Sequence, residues 1–224
     1  MNILLLGKPA SGKGTQTEYL LQYYHLEHIS TGNMIRELSK KDKEIERRLR
    51  SGILFDDFEM YELVKQKLLF LIQKGDKGYL LDGFPRTIVQ AELLDKLIKE
   101  HLKLSLDYII EIDITDEVSI KRQSGRRVCD QCGRLYHIDF VPPKKEETCD
   151  DCNILLTIRV DLDKVKVRLN EYHKGTEPLL SYYGDKVIKI NGNPAPKEVF
   201  KQIKKILNII RTTKKLSCFR FFKD

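Results

Sequence analysis

Short apolar runs along this chain end at turn-forming residues and alternate with longer stretches of helical periodicity. The apolar runs cover residues 3–6, 79–81, 106–114 and 187–190. Between and after them, apolar residues recur at helical spacing, as in Met60, Leu63, Val64, Leu68 and Leu71, and in Val199, Ile203, Ile206, Leu207 and Ile210. We interpret both stripes as core-facing helix surfaces. Alternating strands and helices are typical of parallel sheets, so the pattern predicts an α/β fold with a parallel sheet of about five strands.

Two segments interrupt this alternation. Residues 30–59 form a short helical stretch that is rich in charge, and residues 122–160 carry cysteines, a Pro-Pro pair and few helical signals. Both are predicted to be small units attached to the sheet, which leaves 1–29, 60–121 and 161–224 as the core. The last part of the chain, 214–224, mixes basic and aromatic residues without a clear period.

Composition narrows the function classes only slightly. The chain has 224 residues, of which 41% are hydrophobic and 33% are charged, as is ordinary for a globular protein with a sizeable core. Its net charge of +7 fits polyanionic partners, either nucleotides or nucleic acid, and equally fits a lysine-rich surface. No apolar stretch approaches the ~20 residues that cross a bilayer, and the N-terminal run is too short for a signal peptide. We therefore expect a cytoplasmic protein without a membrane partner.

A glycine-rich loop follows the first apolar run. It comprises Gly7, Lys8, Pro9, Ala10, Ser11, Gly12, Lys13, Gly14 and Thr15. Such a loop between a strand and a helix turns backbone N–H groups, the helix N-terminus and a lysine toward nucleotide phosphates. The general pattern has Ser or Thr directly after the lysine, whereas here Thr15 comes one position later. The loop predicts phosphate binding, with Thr15 as the candidate magnesium hydroxyl.

Two cysteine pairs give a second chemical signal. Cys129 and Cys132 are separated from Cys149 and Cys152 by sixteen residues. Four thiolates at this spacing suit tetrahedral Zn²⁺, and with all four positions filled the metal is expected to be structural. The alternative of two disulfides is disfavoured in a reducing compartment.

Further short motifs follow the phosphate loop: Ile29-Ser30-Thr31-Gly32-Asn33-Met34-Ile35-Arg36, Leu81-Asp82-Gly83-Phe84-Pro85-Arg86-Thr87, Gly125-Arg126-Arg127, Tyr136-His137, Arg159-Val160-Asp161 and Glu171-Tyr172-His173. With these motifs and the phosphate loop, the chain resembles adenylate kinases of the long-lid bacterial type. These motifs extend to about residue 210 in the family's order. The resemblance implies a P-loop nucleoside monophosphate kinase fold, with 30–59 as the acceptor-binding insertion and 122–160 as a zinc-bearing lid.

The same resemblance implies the reaction and its residues. It is the Mg²⁺-dependent conversion of ATP and AMP to two ADP, which requires positioning and cationic stabilisation of phosphoryl groups. The implied catalytic cations are Lys13, Arg86, Arg122, Arg126, Arg159 and Arg168. The implied ATP site consists of the phosphate loop (Gly7, Pro9, Ala10, Ser11, Gly12, Lys13, Gly14, Thr15) with Arg122, Arg126, Tyr136 and His137. The implied AMP site consists of Thr31, Arg36, Gly83, Arg86, Gln90, Arg159 and Arg168.

Asp82 ends an apolar run and should therefore lie at the carboxyl edge of the parallel sheet, where ligands of such folds bind. A carboxylate at this edge suits magnesium held through water. A capping aspartate in a turn is the simpler alternative.

Several positions depart from the family pattern. Asn33 stands where the family usually has Asp, and the spacing from Arg159 to Arg168 is about two residues shorter than usual. Two other functions remain open: a kinase of another nucleoside monophosphate, which Thr87 disfavours, and a zinc-knuckle protein that binds nucleic acid. We expect an enzyme that favours AMP as the acceptor, is a monomer and has no nucleic-acid partner.

Overall fold

The computed structural model describes residues 1–50, 55–75, 78–158 and 162–220. Its centre is a parallel sheet of five strands: β1 (Asn2–Gly7), β2 (Glu27–Ser30), β3 (Tyr79–Asp82), β4 (Tyr108–Asp113) and β8 (Val187–Asn191). They lie in the order β2-β3-β1-β4-β8. The predicted α/β class and parallel sheet of about five strands are confirmed.

Helices cover both faces of this sheet, because successive residues of a buried strand point to opposite sides. Leu4 and Leu6 of β1 pack in one hydrophobic cluster, and Ile3 and Leu5 pack in the other. The helices are α1 (Lys13–Tyr24), α2 (Thr31–Ser39), α3 (Lys43–Arg50), α4 (Asp57–Lys74), α5 (Ile88–Lys96), α6 (Asp116–Ser124), α7 (Leu162–Glu171), α8 (Pro178–Tyr183) and α9 (Pro196–Arg220).

The two predicted apolar helix surfaces, on α4 and α9, pack on opposite sides of the sheet. Val64 and Leu68 of α4 are fully buried in the first cluster, where α5 and α8 also pack. Ile203 and Leu207 of α9 are buried in the second cluster, beside α1. The sheet is therefore enclosed on both sides, as continuous apolar strands require.

The hydrophobic pattern did not mark β2. Its sequence Glu27-His28-Ile29-Ser30 contains one apolar residue, and that residue, Ile29, is fully buried. The strand pairs with β3 on one side only, with Ile29 opposite Leu81. An edge strand needs few apolar positions, so this element carries a weak sequence signal.

The two predicted insertions contain distinct structure. Residues 30–59 include α2, α3 and the first residues of α4. Residues 122–158 include a three-stranded antiparallel sheet in the order β6-β5-β7, formed by β5 (Arg126–Val128), β6 (Leu135–His137) and β7 (Thr157–Ile158). The predicted boundary at 122 falls within α6. The division into a core, an acceptor-binding insertion and a lid stays a prediction.

Candidate active site and metal centre

The phosphate loop joins the end of β1 to the start of α1. Gly7, Ala10 and Gly12 have positive φ angles of 144°, 59° and 101°, respectively. A Cβ atom on Gly7 would lie only 2.5 Å from the backbone oxygen of Ile112, so only glycine fits where β1 leaves the sheet. Because α1 begins at Lys13, its N-terminal N–H groups and dipole face the loop.

Lys13 lies among the charged groups that the sequence predicts for phosphate chemistry. Its Nζ donates to the backbone oxygens of Gly7 and Lys8, the latter at 3.0 Å. Desolvation lowers the pKa of Lys13 to about 8, and its charge interacts with Asp82, Arg86 and Arg126. The fold thus brings three separate parts of the chain, which carry Lys13, Asp82 with Arg86, and Arg126, to one edge of the sheet.

Asp82 is the last residue of β3 and lies beside β1, opposite Leu5. Burial alone would raise the pKa of its carboxyl group. The interactions with His28, Lys13 and Arg86 nevertheless hold that pKa below its ordinary value. An ionised carboxylate at the carboxyl edge of the sheet fits a hydrated magnesium ion that arrives with a nucleotide.

Gly83 is enclosed between two predicted AMP-site residues. Its backbone oxygen accepts from Thr31 Oγ1 at 2.9 Å and from Arg86 Nε at 2.9 Å. A Cβ atom here would lie 3.1 Å from both Thr31 Oγ1 and Arg86 Nη2, and the φ angle is +82°. A side chain at this position would therefore displace the Arg86 guanidinium.

Gln90 holds the backbone of Arg86 through its side-chain amide. Its side-chain oxygen accepts from the Arg86 N–H at 2.7 Å, and its Nε2 donates to Asp57 Oδ1 at 2.8 Å. Only 5% of Gln90 is exposed. In the described structure this amide links the Arg86 backbone to the start of α4, while the predicted contact of Gln90 with AMP stays a prediction.

The remaining predicted acceptor-site arginines differ in their surroundings. Arg36 is exposed on α2 and donates through Nη2 to Asn33 Oδ1. Arg168 is exposed on α7, and its charge lowers the pKa of Arg86, which burial already depresses. The structure therefore places Arg168 near Arg86 despite the shortened spacing. Arg159 lies outside the described residues.

Arg122 fastens α6 to the phosphate loop. Its Nη1 donates to the backbone oxygens of Ala10 and Ser11 at 3.5 and 3.4 Å. Its Nη2 donates to the backbone oxygens of Gly192 and Asn193 at 3.0 and 3.2 Å. Burial lowers the pKa of Arg122. The guanidinium thus joins the loop to the segment after β8.

Tyr136 and His137, both predicted to contact ATP, make hydrogen bonds within the chain. The Tyr136 hydroxyl accepts from the Asp150 N–H at 2.8 Å and lies 3.4 Å from Cys149 Sγ. The backbone N–H of Asp139 donates to His137 Nδ1 at 3.0 Å, which leaves Nε2 as the donor to the Arg122 oxygen, also at 3.0 Å. Their roles toward ATP stay predictions.

The four predicted zinc ligands form one cluster. The Sγ atoms of Cys129, Cys132, Cys149 and Cys152 all lie within 4.8 Å of one another, and all four cysteines are free thiols. Cys132 Sγ and Cys149 Sγ are 3.7 Å apart. A tetrahedral site with Zn–S bonds of about 2.3 Å separates its sulfurs by about 3.8 Å, so the cluster fits zinc.

Several contacts that shape the site had no signal in the sequence pattern. Ser119 Oγ donates to the Pro9 oxygen at 2.6 Å, and Lys8 Nζ lies 2.6 Å from Asp116 Oδ1. Both contacts bind α6 to the phosphate loop across more than a hundred residues of chain. Their participants are ordinary polar residues at unremarkable spacing, so only the fold identifies them.

Comparison with known proteins agrees with this geometry. The family model described as adenylate kinase matches residues 5–188. Similar proteins include adenylate kinases of Caldicellulosiruptor bescii and Acetivibrio thermocellus, each 41% identical, over 93% and 94% of this chain and 100% of each relative. An adenylate kinase of Methanothrix thermoacetophila is 42% identical over 93% of this chain and 99% of its own. The chain therefore belongs to the adenylate kinase family.

Proposed function

We propose that this protein transfers a phosphoryl group reversibly from Mg²⁺-bound ATP to AMP, giving two ADP. The observation that supports the proposal most directly is the convergence of Asp82, Arg86 and Arg126 around Lys13 at the carboxyl edge of the sheet. An oxygen of the AMP phosphate attacks the γ-phosphorus of ATP. The bond from that phosphorus to the β,γ-bridging oxygen breaks, and ADP leaves.

The chemistry needs cations and alignment and needs no general base. The attacking phosphate oxygen is already anionic, and the transition state carries its charge on the equatorial oxygens. Lys13 and the loop N–H groups would hold the donor phosphates. Arg36 and Arg86 would hold the acceptor phosphate, with the bidentate geometry that guanidinium groups offer. Arg126, Arg159 and Arg168 would surround the transferred group.

Magnesium bound with ATP would neutralise charge on the β- and γ-phosphate oxygens. Thr15 would offer it a hydroxyl, and Asp82 would hold it through water. The low pKa of Asp82 keeps this carboxylate ionised in the pH range where nucleotides carry their full charge.

The proposal assigns a separate task to each part of the chain. Residues 30–59 would bind AMP, and 122–160 would form a lid that excludes water during transfer. A structural zinc would hold this lid together, because its buried cluster contains little beyond Cys129, Cys149 and Tyr136.

We further propose a monomer located in the cytoplasm, where nucleotides are supplied and thiolates stay reduced. No helix in the described part of the chain has the length and apolar character that crossing a bilayer requires. The proposal includes no nucleic-acid partner, because the basic side chains of the site converge on one edge of the sheet, where nucleotide phosphates fit.

A coupled assay of ADP formation tests the function. AMP, UMP, CMP and GMP are offered as acceptors, with and without magnesium, and we expect rapid turnover with AMP and magnesium only. Faster turnover of another nucleoside monophosphate than of AMP would mean that this monophosphate, and not AMP, is the acceptor. Absence of turnover with every acceptor, together with retention of RNA on the protein, would favour the nucleic-acid alternative.

A further inference from the structure

His173 lies between two carboxylates. It belongs to the π-helical turn Tyr172–Thr176, which continues α7. Its Nδ1 is 2.7 Å from Glu177 Oε2, and its Nε2 is 2.9 Å from Asp116 Oδ2. Ionised carboxylates only accept hydrogen bonds, so both contacts are satisfied when both ring nitrogens carry a proton. The arrangement therefore fits an imidazolium at His173.

Asp116 extends the interaction to the phosphate loop. Its second oxygen, Oδ1, is 2.6 Å from Nζ of Lys8, which directly follows Gly7. Asp116 is also the first residue of α6, the helix that carries Arg122. The chain Lys8, Asp116, His173 and Glu177 thus joins three separate elements through alternating charges.

The π-helical turn also lies against the acceptor site. A Cβ atom on Gly175 would be 2.8 Å from the backbone oxygen of Arg86. The turn follows α7, which carries Arg168. The turn is therefore in contact with Arg86 and continuous with the helix that carries Arg168.

We propose that protonated His173 is a positioning residue for phosphoryl transfer, which ties the turn beside Arg86 to α6 and, through Asp116 and Lys8, to the phosphate loop. This inference rests on the proposed function. Loss of the proton removes one of the two donors, so one carboxylate loses its partner and the turn is released from either α6 or Glu177.

The charges around the ring favour the protonated form. Hydrogen bonds to Glu177 and Asp116 raise the pKa of His173 despite the opposing effect of burial. On β4, Glu111 and Asp113 face the adjacent Tyr172. Two of these carboxylates pair with a cation: Asp116 with Lys8, and Asp113 with Lys189 of β8 at 3.1 Å. The carboxylates outnumber these cations.

Three variants of the full-length enzyme test the proposal. His173→Gln removes the titratable group, and His173→Lys keeps a cation with several donors at every pH of the assay. His101→Gln, at an exposed position, is the matched control. Rates are measured from pH 6 to 9 and reported as ratios to the wild type at each pH, because Lys13, with a pKa of about 8, titrates in the same range.

We expect kcat of His173→Gln to be about two- to fivefold below the wild type at pH 6, the effect of one partly exposed charged contact, and to equal it at pH 9. His173→Lys should match the wild type at pH 6 and exceed it at pH 9. His101→Gln should give a ratio near one throughout. A pH-independent ratio for His173→Gln would overturn the proposal, since it would indicate a purely structural role.

NMR titration of the imidazole resonances provides a readout that does not depend on activity. An unperturbed histidine has a pKa of about 6.5, and we expect the pKa of His173 to lie above this value. A His173 pKa at or below that value would overturn the inference even in an active enzyme. An inactive enzyme with a raised His173 pKa would instead contradict the proposed function and leave the described ion-pair chain intact.

Discussion

Replacing Gly7 with alanine is expected to destabilise the protein far more than replacing Gly12. Both glycines lie in the phosphate loop and both have positive φ angles, 144° and 101°. They differ in the space around the position of a Cβ atom. At Gly7 this atom would be 2.5 Å from the Ile112 oxygen and 2.8 Å from Ser11 Oγ, whereas at Gly12 nothing lies within 4 Å. Comparing Gly7→Ala with Gly12→Ala therefore distinguishes the cost of steric overlap from the cost of backbone strain.

The magnitudes follow from these two causes. A non-glycine residue in a disfavoured backbone conformation costs about 1–3 kcal/mol, and both variants bear this cost. Overpacking adds about 1–3 kcal/mol, and only Gly7→Ala bears it, because the Ile112 oxygen belongs to β4, which is held between β1 and β8 and has little freedom to move. The expected difference is thus about 2 kcal/mol. For a chain of this size, it corresponds to a difference in Tm of about 4–8 °C.

Thermal unfolding of the nucleotide-free proteins measures this difference. The wild type should melt highest, Gly12→Ala a few degrees lower, and Gly7→Ala lowest. Equal Tm values for the two variants would refute the reasoning, because they would mean that the close approach of β1 to β4 at Gly7 contributes nothing to stability.

Three further predictions concern the proposed function. Lys13→Ala should lower kcat at least about a hundredfold with an unchanged far-UV spectrum, and near-normal turnover would contradict the phosphate-loop assignment. Arg86→Lys keeps the charge and loses the planar fork, so it should raise KM for AMP more than KM for ATP; the reverse order in steady-state kinetics would reverse the two sites. Cys129→Ser with Cys132→Ser should remove one zinc per chain by metal analysis and lower Tm, with residual activity at low temperature. Complete inactivity of that folded variant would point to a direct role of the metal.

The parts of the molecule that could be predicted from the sequence are those encoded locally. The phosphate loop and the cysteine pairs rely on short spacings, and four of the five strands of the parallel sheet rely on short, mainly apolar runs. The structure places the corresponding strands and the start of α1 where the pattern predicts them. The four sulfurs also meet as expected. In each case the residues that define the feature are close together in the chain.

β2, one of the strands that escaped prediction, owes its position to its neighbour. β2 is a strand because Glu27–Ser30 pairs in register with Tyr79–Asp82, and its backbone groups find partners there. Only Ile29 enters the core. Its three other residues are half-buried polar side chains, which are equally compatible with a loop. Pairing between distant segments decides such a case, and hydrophobic periodicity contains no information about it.

The pair Tyr136-His137 illustrates the same limit for side chains. Both lie on the three-residue strand β6, so they point to opposite faces, as the period of two dictates. One face meets Cys149 of the zinc cluster, and the other meets the backbone oxygen of Arg122 at the end of α6. The alternation of side chains along a strand predicts that Tyr136 and His137 point to opposite faces. Their partners, thirteen residues later and fifteen residues earlier, follow only from how β6 pairs with β5 and how the chain returns to Cys149. The short strand β6 thereby connects the cysteine cluster to α6, the helix that is hydrogen-bonded to the phosphate loop. The connection runs through Tyr136 and His137, for which the sequence motif predicted a nucleotide contact.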